Sequence, residues 1–353
     1  MKILYVGLKN DYGNPEGGYS FEHNNFYETL NRMNSVDELI YFPFDELLRK
    51  FGRDKMNEML LDKAYEAKPD LCFFFLFTNE IKKETLLKLR EKGFTTYNWF
   101  ADDHWRFVNF SKYWAPLFSY FSTTDSDSYE KYKKMGLKNA IKTQWACNDY
   151  QYKKTGNEIK HDITFIGQAH GKRKNLIGFI KRRGFDVSTW GSGWESGRID
   201  QEEMIKTFGE SKINLNFTAS SGTWNRKNIA KIFLNRRADD SYQINNPLNW
   251  VNNIVSLVQK KKNQIKGRNF EIPGSGGFLL TEYVDGLEEC YKDKKEVVFF
   301  KSKDELVEKI EYYLDKDDLR NEVAKRGYER TQREHTYSKR FEDIFSEIGI
   351  KNA

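Results

Sequence analysis

Cysteine is scarce in this chain of 353 residues: there are three, Cys72, Cys147 and Cys290, far apart and with no CxxC pair or neighbouring histidine at ligand spacing. That pattern argues against a disulfide framework and a zinc site and fits a reducing compartment. Proline is also sparse, at six residues, and no low-complexity run is long enough to suggest disorder. No apolar stretch approaches the ~20 residues that span a bilayer. The opening MKILYVGL reads as a short strand, without the longer apolar core of a signal peptide. A soluble, cytoplasmic protein is expected. Excess charge is small: 58 basic against 52 acidic residues leave a net +6. This admits an anionic ligand or an acidic membrane surface, requires neither, and does not favour nucleic acid.

Aromatics are plentiful, with 27 Phe and 20 Tyr, and the length exceeds what one core usually serves, so two domains are expected. Lys2 to Leu8 has the composition of a strand, residues 9–18 of a loop, and Tyr19 to Met33 carries helical spacing. Further strands are predicted at Glu38 to Phe42, Leu71 to Phe77, Thr95 to Phe100 and Tyr120 to Thr124. The run from Leu71 to Phe77 is continuously apolar, as in a parallel strand covered on both faces. A polar linker, Asn148 to Lys160, precedes a second series of strands at Asp162 to Gly167, Asp186 to Trp190 and Ile213 to Phe217. The polar stretch 219–263 reads as an insertion with helical pieces near Ile229 to Leu234 and Trp250 to Val258. The order resumes with Phe278 to Leu280 and Val297 to Phe300, then charged helices, and an amphipathic tail from Tyr337 to Ile348.

Alternating β and α units of this kind predict an α/β protein of two Rossmann-like, doubly wound domains facing across a cleft. The expected divisions are 1–155, 156–330 (with 219–263 inserted) and a C-terminal helix, 331–353, packing back towards the first domain. Ligands are expected in the loops after strands. In Lys266 to Glu282, KGRNFEIPGSGGFLLTE, the basic Lys266 and Arg268 precede Glu271 and a glycine turn. Free amides of Gly274, Ser275, Gly276 and Gly277 could cradle phosphate, and Glu271 could take ribose hydroxyls. The alternative is a helix end leading into a core strand. Gly17 and Gly18, before Glu22 and His23, offer a second anion site or a plain helix start. WFADDHWRF gathers Asp102, Asp103, His104 and Arg106 after a strand, as an acid–base cluster or as a helix cap between packed tryptophans. FIGQAHGKR places Gly167, Lys172 and Arg173 where they could neutralise a diphosphate leaving group. Trp190 to Gly197 is a stacking loop or a plain one, and His335 is expected to fix the last helix.

Taken together, FEIPGSGGFLLTEYVDGLEECY, the charged run ending in REHTYSKR, WFADDHWRF and DITFIGQAHGKR resemble the CgeB-like (spore-maturation protein) glycosyltransferases. The resemblance covers most of the chain, is strongest from Lys266 to Arg340, and fails across 219–263. It implies a GT-B fold with the nucleotide-sugar donor on the C-terminal domain and no tightly bound cofactor or metal. It also implies a glutamate on the ribose at Glu271. Retaining GT-B enzymes usually carry another glutamate eight positions earlier; here that residue is Asn263, which leaves open an inverting displacement with Asp103 or His104 as base. The implied activity is transfer of a hexosyl or related group to a hydroxyl of a glycan, protein or other acceptor. Two rivals remain: a non-catalytic nucleotide- or glycan-binding protein of the same fold, and a glycosyltransferase acting on DNA.

Overall fold

A computed structural model describes residues 1–154, 156, 158–218, 226–236 and 242–350. The chain divides into two compact units. The first comprises Met1–Gln144, Trp224–Lys260 and Arg340–Ala353, and the second Trp145–Thr223 and Lys261–Lys339.

The first unit is built on six parallel strands, β1 (Lys2–Gly7), β2 (Glu38–Pro43), β3 (Leu71–Phe74), β4 (Thr96–Phe100), β5 (Tyr120–Thr123) and β6 (Ala140–Lys142), in spatial order β2-β1-β3-β4-β5-β6. The sheet is covered on both faces, as the unbroken apolar character of Leu71 to Phe77 requires. Cys72 and Phe74 join a core with Met56, Leu60 and Ala64 of the helix Phe44–Ala67. Phe73, pointing the other way, meets the rings of Phe26 and Phe341. Phe341 lies in the helix Tyr337–Ile348. The three cysteines are buried and unbridged.

The second unit carries five parallel strands, β7 (His161–Ile166), β8 (Val187–Trp190), β9 (Ser211–Asn216), β12 (Leu279–Glu282) and β13 (Val298–Phe300), in order β13-β12-β9-β7-β8. Its helices start on side-chain caps where the sequence supplies them: Asp200 accepts from the amide of Glu203, and Ser302 from that of Glu305. Both units are thus doubly wound, and the predicted pair of Rossmann-like folds is present.

The segment 219–263 was expected as an insertion in the second domain. Its residues 219–225 and 237–241 lie outside the described residues. The remainder forms a helix (Arg226–Phe233), an antiparallel pair, β10 (Leu234–Arg236) and β11 (Tyr242–Ile244), and a helix (Trp250–Gln259). Up to Lys260 it groups with the first unit, not the second, because the helix Trp250–Gln259 packs there: Asn109 donates from its amide to Asn253 at 3.2 Å.

Candidate functional site

In each sheet the chain first moves to one side of its opening strand and then crosses to the other. The crevice beyond the carboxyl ends of the two strands at that reversal is where such sheets receive ligands. In the second unit it lies between β7 and β9.

Arg173, at the start of the helix Arg173–Arg182, fills that position. Its guanidinium donates to the carbonyl of Gln168, just past β7, at 3.2 Å and to that of Phe217, just past β9, at 3.1 Å. Glu282 ends the neighbouring strand β12. It accepts from the amide and hydroxyl of Thr218, both at 3.0 Å, and from the side-chain amide of Asn263 at 3.2 Å. Burial pushes Arg173 down to about 10. The Glu282 charge opposes this, while the nearby Arg268 charge deepens it. Arg173 thus places a partly desolvated guanidinium at the carboxyl edge of the parallel sheet, where an anion would be met. Gly167 contributes backbone. Its carbonyl accepts from the Trp194 indole at 2.7 Å, so the loop after β8 serves to close over β7. Gly191 in that loop has φ +128°, and a Cβ there would run into the Gly167 carbonyl.

The glycine turn behind Glu271 does not cradle an anion. Ser275 N–H bonds to the carbonyl of Glu271 at 3.0 Å, Gly276 N–H to Pro273 at 2.9 Å and Gly277 N–H to Ile272 at 3.1 Å. These bonds close the end of the short helix Arg268–Gly274, with Gly276 at φ +77°. The turn also enters β12 at its amino end, the side of the sheet opposite Glu282. Gly274 is needed for packing, since a Cβ there would fall 2.7 Å from Cys147 Sγ, and Gly277 likewise against the carbonyl of Phe208. Glu271 is 1% exposed and ion-paired with Arg268, so in this conformation it holds a guanidinium instead of offering itself to ribose hydroxyls. Arg268 is the more open partner, its side chain 29% exposed. Lys172 is exposed beside Arg173, and Lys266 is half-buried with its amide bonded to Asn269.

At the equivalent edge of the first unit, past β1, Asp45 accepts from the amides of Lys9 and Asn10 at 2.9 and 3.0 Å. Gly17 and Gly18 spend their amides inside the loop, on the carbonyls of Asn14 and Pro15 at 3.0 and 3.3 Å, and so present no anion site. His23 is buried between the rings of Tyr19 and Tyr27. The half-buried Glu22 is pushed up to about 7, chiefly by desolvation and further by the carboxylates of Asp11 and Asp102.

The WFADDHWRF cluster is split by the fold. Asp102 stays half-buried next to Glu22 in electrostatic terms, beside an Arg106 that donates to the Phe77 carbonyl at 2.7 Å. Asp103 and His104, expected as bases, are instead buried. Asp103 turns into the core, accepting from the Tyr132 hydroxyl at 3.0 Å, and burial pushes its carboxyl up to about 7. His335 is structural as expected, 2.9 Å from the Cys290 carbonyl. Among the described residues no group of three or more His, Cys, Asp or Glu side chains is placed to hold a metal ion, and no helix is long and apolar enough to cross a membrane.

Sequence reasoning missed Glu282 and Thr218 as site members and offered Glu22 only as a neighbour of the Gly17–Gly18 pair. The only available signal was position: each lies at or just beyond the carboxyl end of a strand, or in the helix that follows one.

Residues 172–346 match the family model described as "Glycosyl transferase-like". No curated protein sequence matches the chain. Among solved structures, the sucrose-phosphate synthase (tll1590) of Thermosynechococcus elongatus is 10% identical, with a TM-score of 0.56 over 99% of this chain and 98% of that one. Anabaena Alr3699/HepE, solved with UDP, is 10% identical, with a TM-score of 0.58 over 99% and 100%. The UDP-GlcNAc 2-epimerase of Neisseria meningitidis, bound to UDP-GlcNAc, is 10% identical, with a TM-score of 0.53 over 99% and 100%. At these identities the likeness shows the fold, which is GT-B. With the family match it supports a glycosyltransferase family; the CgeB-like subtype rests on the sequence resemblance alone.

Proposed function

We propose that the protein transfers a hexosyl or related group from a nucleoside-diphosphate sugar to an acceptor hydroxyl. The observation that carries this reading is Arg173 at the carboxyl edge of the second sheet, partly desolvated and near enough to Arg268 to sense its charge. A partly desolvated cation with a second cation nearby gains from a dianion, and a nucleoside diphosphate is such a group. HepE, solved with UDP and with UDP-glucose, supports the same ligand class on the same fold.

In the proposed reaction the bond between the sugar's anomeric carbon and the diphosphate oxygen breaks. The negative charge that gathers on the leaving diphosphate is met by Arg173 and Arg268, with the exposed Lys172 and with Lys266 at the rim. Glu271 acts through Arg268, fixing its guanidinium. Glu282, held by Thr218 and Asn263, is the carboxylate of the donor edge, so a carboxylate is supplied from β12 where Asn263 replaces the glutamate of the retaining pattern. The acceptor side is assigned to the first unit. There Glu22, poised near 7 and next to Asp102, is better suited than the buried Asp103 or His104 to take the hydroxyl proton.

Calorimetric titration with nucleoside diphosphates, followed by assay of the cognate nucleotide sugars with and without acceptors, tests the reading. Arg173→Ala should weaken diphosphate binding at least tenfold, about 1.4 kcal/mol. Unchanged affinity in a folded Arg173→Ala variant would remove that edge from the site. Epimerisation of the sugar without transfer would replace the proposed reaction.

A further inference from the structure

The second unit holds a cavity of about 280 Å³ that the reaction proposed above does not use. Its apolar surface comes from three rings. Tyr291 and Phe299 are buried, and Tyr283 stands edge-on to Phe299 with centroids 5.9 Å apart. Tyr283 packs with Leu279 on one face of the sheet, whereas Leu280 packs on the other with Ile177 of the helix that carries Arg173. The three rings thus lie on the face opposite the Arg173 helix.

Part of the lining is spent on β13, the edge strand of the sheet. Asp293 accepts from the Phe299 amide at 2.8 Å, Lys309 donates to the Phe299 carbonyl and to Glu305, and Glu305 also accepts from the Lys301 amide at 2.7 Å. These side chains take the hydrogen bonds that a further strand would otherwise make. Three charges remain. Glu288 accepts from the Tyr283 hydroxyl at 3.1 Å and pairs with no cation among the described residues. The Lys301 ammonium lies over the Tyr283 ring, 4.4 Å from its centroid, and Lys292 is exposed next to Tyr291. Neither ammonium has an ion pair among the described residues.

We propose that this cavity binds a free aromatic α-amino acid, its carboxylate on Lys292 and Lys301, its ammonium on Glu288 and its ring against Tyr283 and Phe299. The lining balances three lysines against three carboxylates, which suits a ligand without net charge. A simple anion would face Glu288, a simple cation would face the two lysines, and a small zwitterion without a ring would leave the aromatic surface unused. The volume sits just under the ~300–1,000 Å³ of pockets for drug-sized ligands, in keeping with a single amino acid.

Isothermal titration calorimetry of the full chain with L-phenylalanine tests the proposal. Phenylacetate lacks the ammonium, phenethylamine the carboxylate and L-alanine the ring, and each should bind at least about tenfold more weakly. Glu288→Gln keeps an acceptor for the Tyr283 hydroxyl; it should weaken L-phenylalanine about tenfold and leave phenylacetate no weaker. Lys292→Gln/Lys301→Gln, at two exposed positions, should weaken L-phenylalanine by about as much with wild-type thermal stability. Binding should persist in Arg173→Ala and under saturating nucleoside diphosphate, so its fate is separate from that of the donor edge. No binding of L-phenylalanine overturns the proposal. So does an affinity that both variants leave unchanged, an analogue that binds as tightly, or displacement by a nucleoside diphosphate.

Discussion

Asp103→Asn separates a buried structural carboxyl from a catalytic one. The Asp103 side chain is enclosed by the core, with hydroxyls of Tyr132, Ser111 and Thr123 around it, and its folded value lies near 7. In an unfolded chain an aspartate titrates near 3.9, so the native state holds the proton about three units longer, which at 1.36 kcal/mol per unit is at most about 4 kcal/mol. Folding therefore binds a proton between about pH 4 and pH 7, and stability falls as pH rises through that window. Asparagine mimics the neutral acid and has no charge to bury. Wild type and Asp103→Asn should be equally stable near pH 4, diverge through the window, and differ above about pH 7 by up to the stated amount in favour of the variant. Urea unfolding followed by tryptophan fluorescence reads this, since Trp99 is buried in the same unit. The variant should also keep its transferase turnover. A variant less stable than wild type near pH 8 would refute the burial argument, and lost turnover with intact donor binding would return Asp103 to the reaction.

If Glu22 is the base, the pH profile of wild-type turnover should rise through about 7, and Glu22→Gln should abolish that limb with donor affinity unchanged; an unaltered profile would exclude it. Gly191→Ala meets both a positive φ and the Gly167 carbonyl, so it should cost several kcal/mol in thermal or urea unfolding and weaken the Trp194 contact over β7. A loss below about 1 kcal/mol would mean that the loop after β8 moves freely.

The elements of both sheets were legible because period and apolar continuity report burial directly. Leu71 to Phe77 could only be covered on both faces, and β3 is. Site geometry was less legible, for a physical reason. Whether a glycine amide faces a ligand or its own helix depends on how that helix ends, and the Gly274 to Gly277 string is compatible with either. Glu282 was invisible as a site residue because Thr218, Asn263 and Arg173, which define its surroundings, lie between 19 and 109 positions away in sequence. The doublet Asp102-Asp103 looked like one cluster, although adjacent residues at a helix start point in different directions, one outward and one into the core.

The first unit draws on three separate stretches of chain, and its last one carries Phe341, fully buried against Phe26, Phe73 and Trp99. On the ribosome, β1 to β6 emerge long before Phe341 is made. The aromatic face of the first sheet must therefore stand open through synthesis of the entire second unit, and the two units cannot mature strictly in order from the amino terminus. The C-terminal helix works as a late closing piece, and fusion partners or truncations at that end act on the unit encoded first.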